Sequence, residues 1–229
     1  MFLTKASLRS SERGGTGALA AFLAGASASI GQGHHLVWSL FGDRGGERRF
    51  LYRMTGPTAA APILVASAEE PRDDHNLWDL DIKPLRLLGA LAAGDRVEWS
   101  IRVNATVKSR AGTGKARSSA HCIVDRARRE GMEGTSAQVA AQVVPPWLEA
   151  RLARAGLDAT AEAMTVQAYD KRRFGHSPNG YSQPVVIATT DVVGTGTVRD
   201  PDILRAAMLD GIGGGKAYGC GLLLVRRAA

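Results

Sequence analysis

Asp200-Pro201-Asp202-Ile203-Leu204-Arg205-Ala206-Ala207-Met208-Leu209-Asp210-Gly211-Ile212-Gly213-Gly214-Gly215-Lys216-Ala217-Tyr218-Gly219-Cys220-Gly221-Leu222-Leu223-Leu224-Val225 reads as a helix, a glycine-rich turn and an apolar strand in direct succession. Asp200 is a strong N-cap, Pro201 occupies the first helical position where its missing N–H is harmless, and the following residues carry an apolar face. Glycines let the main chain approach a ligand and turn its N–H groups toward an anion, to which Lys216 adds a point charge. A Walker loop needs Ser or Thr after its lysine and a helix beyond; Ala217 and a strand follow here, so the nucleoside-triphosphate pattern does not fit. A flexible connector is the plainer reading of the same glycines.

Working back from this segment, Val97, Trp99, Ile101 and Val103 alternate with Glu98, Ser100, Arg102 and Asn104 in a clear strand pattern after Gly94-Asp95. Pro145 to Leu152 predicts a helix with proline at its start and Gly156 at its end. Strands are predicted at about Ala163 to Asp170 and Pro184 to Val193. The second half therefore runs strand, helix, strand, strand, helix, strand. The first half gives a weaker version of that order. It has a strand at Phe2 to Leu8, helical material ending near Trp38-Ser39-Leu40-Phe41, and strands at Arg49 to Met54 and Pro62 to Ala66. Asp81 to Leu88 is harder to place, because Lys83-Pro84 forces an extended or turning backbone, and the remaining helix of this half is expected to be short or degenerate. The expected class is α+β, with two tandem ferredoxin-like (RRM-like) βαββαβ domains over residues 1–91 and 92–229.

The chain has 229 residues, 45% hydrophobic composition and a net charge of +7. With a pI near 9.8, this balance favours a polyanionic partner without separating RNA, DNA and acidic membranes. Cys122 and Cys220 fit neither zinc-ligand spacing nor a disulfide framework, which points to a reducing cytoplasm, and Cys220 reads as a small core residue. Ala18 to Ala28 superficially resembles a signal peptide, but its apolar part is too short to span a bilayer and reads better as an early helix.

Two basic clusters stand out. Lys108, Arg110, Lys115 and Arg117 lie among Gly, Ser and Thr in an expected loop, and Lys171-Arg172-Arg173 falls on an expected hairpin tip before Gly175, Pro178 and Gly180. Either cluster can track phosphates, and a thin basic hairpin suits the deep, narrow major groove of A-form RNA. Either is also readable as a solvated face.

Gly33-His34-His35-Leu36-Val37-Trp38-Ser39-Leu40-Phe41 sets two histidines at the start of a helix. His34 shares a face with Val37, Trp38 and Phe41, whereas His35 points about 100° away. A helix N-terminus and apolar neighbours bias an imidazole toward its neutral, proton-accepting form. From these residues alone, a structural or surface role stays open beside a catalytic one. A metal site is not indicated, since adjacent histidines diverge and no third ligand stands at a suitable spacing.

His34-x-x-x-Trp38-x-x-Phe41, Arg49-Phe50-Leu51-Tyr52-Arg53, Arg102-Val103-Asn104-Ala105-Thr106 and Gly211 to Leu223, taken in order, resemble the CasE family of CRISPR RNA-processing endoribonucleases of type I-E Cascade. The resemblance covers essentially the whole chain. It implies metal-independent cleavage at the base of a CRISPR repeat hairpin, no cofactor, and retention of the crRNA within Cascade. It implies other Cascade subunits as partners, target DNA reached only through the complex, and no membrane.

By the same resemblance His34 assists attack of the ribose 2′-hydroxyl on the adjacent phosphate, giving a 2′,3′-cyclic phosphate and a 5′-hydroxyl. Lys171, Arg172 and Arg173 match the position of the family's stem-binding hairpin, and Gly213, Gly214, Gly215 and Lys216 match its glycine-rich loop. Some family members carry a tyrosine three residues before the histidine, a position that is Gly31 here, so tyrosine-assisted proton transfer is in doubt and His35 is the alternative to His34. A non-catalytic hairpin-RNA-binding subunit of the same complex is the alternative function.

Overall fold

The computed structural model describes residues 1–9, 37–41, 50–56, 61–74, 76–85, 90–108, 120–174 and 185–228. The first sheet joins β1 (Phe2–Leu8), β2 (Phe50–Met54), β3 (Ile63–Ser67) and β4 (Trp78–Pro84) in the order β2-β3-β1-β4. All its neighbours are antiparallel. This is the strand order of a ferredoxin-like sheet.

The strand expectations for Phe2, Arg49 and Pro62 hold, and the segment that resisted placement is the edge strand β4, with Lys83-Pro84 extended at its end. Pro84 is tolerated because an edge strand leaves one row of N–H groups outside the ladder. The stretch from β3 to β4 contains no helix among its described residues. Asp73 occupies that connection, its carboxylate accepting from the N–H groups of Leu77 and Trp78 at 2.9 Å each. A side chain that satisfies the backbone locally competes with helix formation, which explains the degenerate second helix.

Phe50, Tyr52 and Met54 lie on one face of β2, as the alternation predicts, within a core that includes Val65 and Trp78. Leu51 points the other way, into a second cluster with Ala66 and Leu222. Because Leu222 belongs to the C-terminal segment, this small cluster packs the two halves together. The turn after the histidines, residues 37–41, buries Val37 and Leu40. Trp38 meets Phe50 edge-on at 5.1 Å and Phe41 stacks on it at 4.9 Å, so the aromatic spacing seen in the sequence is a docking face. His34 and His35 lie outside the described residues, as does Ala18 to Ala28.

The second sheet is built from β5 (Arg96–Val103), β8 (Leu157–Asp158), β9 (Met164–Phe174), β10 (Val185–Val198) and β11 (Leu223–Arg227), with β5 between β11 and β10 and with β9 also on β10. A separate ribbon pairs β6 (Thr106–Lys108) with β7 (Ala120–Cys122). Among the described residues three α-helices accompany them, α1 (Ile123–Arg129), α2 (Ser136–Arg154) and α3 (Pro201–Asp210). Val97, Trp99, Ile101 and Val103 of β5 are buried against the helices.

Two expectations need correction here. The helix expected to begin at Pro145 begins at Ser136, and both prolines lie inside it. Thr135 and Gln138 form a reciprocal capping box at 3.3 and 2.8 Å. Ala140, Val144, Leu148 and Leu152, four residues apart, are each fully buried. That continuous apolar stripe holds the helix together through residues that would otherwise interrupt it. The second correction is that Lys171, Arg172 and Arg173 are not at a hairpin tip. They are inside β9, paired with Ala188, Ile187 and Val186 of β10. Helix α3 follows expectation, with the Asp200 carboxylate accepting from the N–H groups of Asp202 and Ile203 at 3.0 Å.

Candidate nucleic-acid interface

The polar face of β5 determines the geometry at the joint between the sheets. Register places Asp191 of β10 directly opposite Arg102. Arg102 donates from Nε and Nη2 to the two Asp191 oxygens at 2.7 and 2.8 Å, and from Nη1 to the Met54 carbonyl of β2 at 3.0 Å. Arg53, also on β2, lies 3.6 Å from the same carboxylate and donates to Ser100 Oγ at 3.4 Å. One carboxylate thus holds two guanidinium groups from opposite sides of the joint.

Hydrogen bonding to Asp191 raises the Arg102 pKa above the ordinary guanidinium value. Burial lowers that of Arg53, with the attraction of Asp191 opposing the shift. Beneath them Cys220 is fully buried, as expected, and burial pushes its thiol up to about 12.

Beside this cluster opens a cleft of about 300 Å³, lined by Thr55, Arg102, Asp170, Arg172, Thr189 and Tyr218 among others. Arg172 is held by Asp170 at 2.5 Å. Tyr218 comes from the glycine-rich loop, so the loop, β2, β9 and β10 share one concavity, and joints of this kind are where ligand sites commonly form.

The glycine-rich loop is tightly anchored rather than a loose connector. Tyr52 Oη donates to the Ala217 carbonyl at 2.6 Å. The Gly221 N–H donates to the Arg102 carbonyl at 2.7 Å, and the Ile212 N–H to the Gly221 carbonyl at 3.0 Å. Gly214 bridges to Asn104. Gly215 adopts a left-handed conformation at φ +74°, and a Cβ there would stand 2.9 Å from the Cβ of Asn104. Gly213 lies against Trp147, whose indole N–H donates to the Thr106 carbonyl at 3.0 Å and whose ring carries the Arg151 guanidinium at 3.6 Å. Lys216 turns its ammonium back onto the Asp210 carbonyl. There it neutralises the negative end of α3, a helix-capping role.

Two of the remaining predicted basic residues, Lys171 and Lys108, lie beside α1. Lys171 Nζ donates to both Asp125 oxygens at 2.8 and 2.7 Å. Lys108 ends β6 beside the same helix. Tyr169, next to Cys122 at 3.9 Å, has its phenol pKa raised chiefly by burial. Arg110, Lys115 and Arg117 lie outside the described residues, and of Arg173 only the backbone is described. Arg53, Asp191, Trp147 and Tyr218 were not singled out by sequence for any role. The available signal was the polar alternation of β5, which marked a face but named no partner for it.

Among the described residues no three or more His, Cys, Asp or Glu side chains are grouped to hold a metal ion, and no helix is long and apolar enough to cross a membrane.

Comparison with solved structures finds a Cse3 CRISPR endoribonuclease bound to a 19-nucleotide RNA, 24% identical, with TM-score 0.67 over 99% of this chain and 100% of the other. Thermus thermophilus Cse3 bound to an RNA representing a pre-cleavage complex is 21% identical, with TM-score 0.63 over 98% of each chain. Cas6e from Escherichia coli K-12 is 20% identical, with TM-score 0.56 over the full length of both chains. This likeness establishes the fold, tandem ferredoxin-like domains included. A search of curated proteins by sequence found no match. The sequence model of the family described as CRISPR associated protein spans residues 1–227, and with the glycine-rich loop and both sheets inside that span, the chain belongs to the CRISPR-associated protein family.

Proposed function

We propose that this protein is a metal-independent endoribonuclease that cuts CRISPR precursor RNA at the base of the repeat hairpin and keeps the mature crRNA's 3′ hairpin as a subunit of type I-E Cascade. The observation that carries this reading is the placement of the glycine-rich loop. It forms the joint between two ferredoxin-like sheets and shares a cleft with Arg102 and Arg172, in a fold whose solved relatives include Cse3 bound to RNA. The net charge of +7 adds to its support.

In the proposed reaction the imidazole of His34 accepts the proton of the ribose 2′-hydroxyl as that oxygen attacks the neighbouring phosphorus. The bond from phosphorus to the 5′-oxygen breaks, and the departing oxygen takes up a proton. A 2′,3′-cyclic phosphate and a 5′-hydroxyl remain, with neither water nor an oxidant consumed. Positioned proton transfer of this kind contributes on the order of 10² to 10⁴ in rate. The glycine-rich loop and the basic residues of β9 hold the RNA, so affinity and turnover reside in different residues.

The test is incubation of the protein in EDTA with the repeat hairpin, beside a copy carrying a 2′-deoxy sugar immediately upstream of the expected cut. Cleavage of the unmodified RNA alone supports the proposal. Binding of both without cleavage replaces it with a non-catalytic hairpin-binding subunit. Cleavage of the deoxy copy overturns attack by the ribose hydroxyl.

A further inference from the structure

The β6–β7 ribbon and α1 enclose a recess of about 430 Å³, lined by Lys108, His121, Arg126, Arg129 and Glu130 with Val107 at its wall. Three cationic side chains and an imidazole face it against a single carboxylate. That carboxylate is engaged by Arg126 at 2.7 Å, in a pair whose members are 56% and 61% exposed. A pair so open to water is held weakly and can exchange partners. Arg129 rests its Nε on the Asp125 carbonyl at 3.3 Å.

Asp125 connects this recess to the other basic cluster. Its carboxylate is the one that Lys171 of β9 grips at 2.7 Å, so α1 physically joins two sets of cations that are far apart in sequence. The ribbon strands carry Lys108 and His121 and flank the stretch that holds Arg110, Lys115 and Arg117.

We propose that this recess is a backbone-phosphate site for the bound RNA, with Arg126 and Arg129 as its principal ligands and Glu130 as a competitor that the phosphate displaces from Arg126. The proposal rests on the RNA-binding reading above and adds to it a helix that no sequence signal had marked. A phosphate gains from several converging donors and from counterion release. Contacts to phosphate position a strand but carry no base information, so the site contributes affinity without selecting sequence.

The experiment measures affinity of the full chain for the repeat hairpin, and for a hairpin of scrambled stem sequence, across a potassium chloride series. The Arg126→Ala/Arg129→Ala double variant is expected to weaken both RNAs by similar factors, roughly ten-fold at moderate salt, and to flatten the dependence of log affinity on log salt by roughly 1.5 to 2. Arg126→Lys/Arg129→Lys keeps the slope. Glu130→Gln moves affinity the opposite way, which loss of structure alone does not produce. A wild-type slope in the alanine variant, or weaker binding by Glu130→Gln, overturns the recess while leaving hairpin binding intact. Failure of the wild-type protein to bind the hairpin overturns the RNA reading and this site with it.

Discussion

Arg102 and Asp191 stand 89 residues apart in sequence and directly opposite each other on adjacent strands, joined by two hydrogen bonds of 2.7 and 2.8 Å. The third donating nitrogen of the same guanidinium reaches the Met54 carbonyl. Arg53 approaches the shared carboxylate from β2. The arrangement is a charged clasp across the joint on which the glycine-rich loop sits.

Asp191→Ala leaves two guanidinium groups facing each other without their anion. With the side chains of Arg102, Asp191 and Arg53 only 23%, 16% and 16% exposed, solvent compensates poorly, and the loss is expected to reach about 3 kcal/mol by urea unfolding. Arg102→Ala combined with Asp191→Ala should cost clearly less than the sum of the single changes. Strict additivity would show that the clasp contributes nothing as a pair.

Neighbouring glycines of the loop should respond differently to the same change. Gly215→Ala imposes a left-handed conformation on alanine and brings its Cβ to 2.9 Å from Asn104, so a loss of about 1–2 kcal/mol is expected from the backbone alone. A Cβ at Gly214 meets nothing within 4 Å, and Gly214→Ala should stay within about 0.5 kcal/mol of wild type. If Gly214→Ala nonetheless weakens hairpin binding several-fold, the loop's tip touches the RNA. Thermal melts and binding on the same preparations separate the two effects.

His34→Ala is expected to lower the single-turnover cleavage rate at saturating protein by about 10²- to 10⁴-fold. Hairpin affinity should remain within a few-fold of wild type. Cleavage near the wild-type rate would transfer the role to His35 or another group, and His35→Ala in the same assay distinguishes those outcomes.

The two thiols should differ in their access to reagents. Cys220 is fully buried and Cys122 only partly so, so a thiol reagent at pH 8 should modify Cys122 in the native protein and both cysteines after denaturation. The Cys220 pKa is raised from 9.0 to about 12 by burial, which means the native state keeps a proton that the unfolded chain gives up. Its contribution to stability is therefore complete below pH 9 and declines as pH rises from 9 toward 12. Cys220→Ala should reduce that alkaline loss of stability, measured as the difference in melting temperature between pH 8 and pH 10.5.

Much of the architecture was legible in local patterns, because each pattern records which way a side chain must point relative to the core. The alternation of Val97 to Val103 identified the central strand of the second sheet and its buried face. Asp200 and Pro201 located the start of α3, and Gly156 the end of α2, because caps act on backbone groups only a few residues away. The glycine-rich run located the loop between α3 and β11, but its anchoring against Tyr52 and Asn104 came only from the folded chain.

Where local signals disagreed, tertiary structure decided. Pro145 and Pro146 argued for a helix start, but the capping box at Thr135 and the buried stripe from Ala140 to Leu152 outweighed them. The arms of the β9–β10 ladder extend through Lys171 to Arg173 because cross-strand pairing, which composition does not encode, continues past the charged residues. Which cations share an anion was likewise decided by strand register and packing: Asp191 lies opposite Arg102, and Asp125 of α1 meets Lys171. Such pairings depend on distances across the fold, so the sequence alone set out the strands, caps and basic clusters, while only the folded chain determined which of those charges face each other.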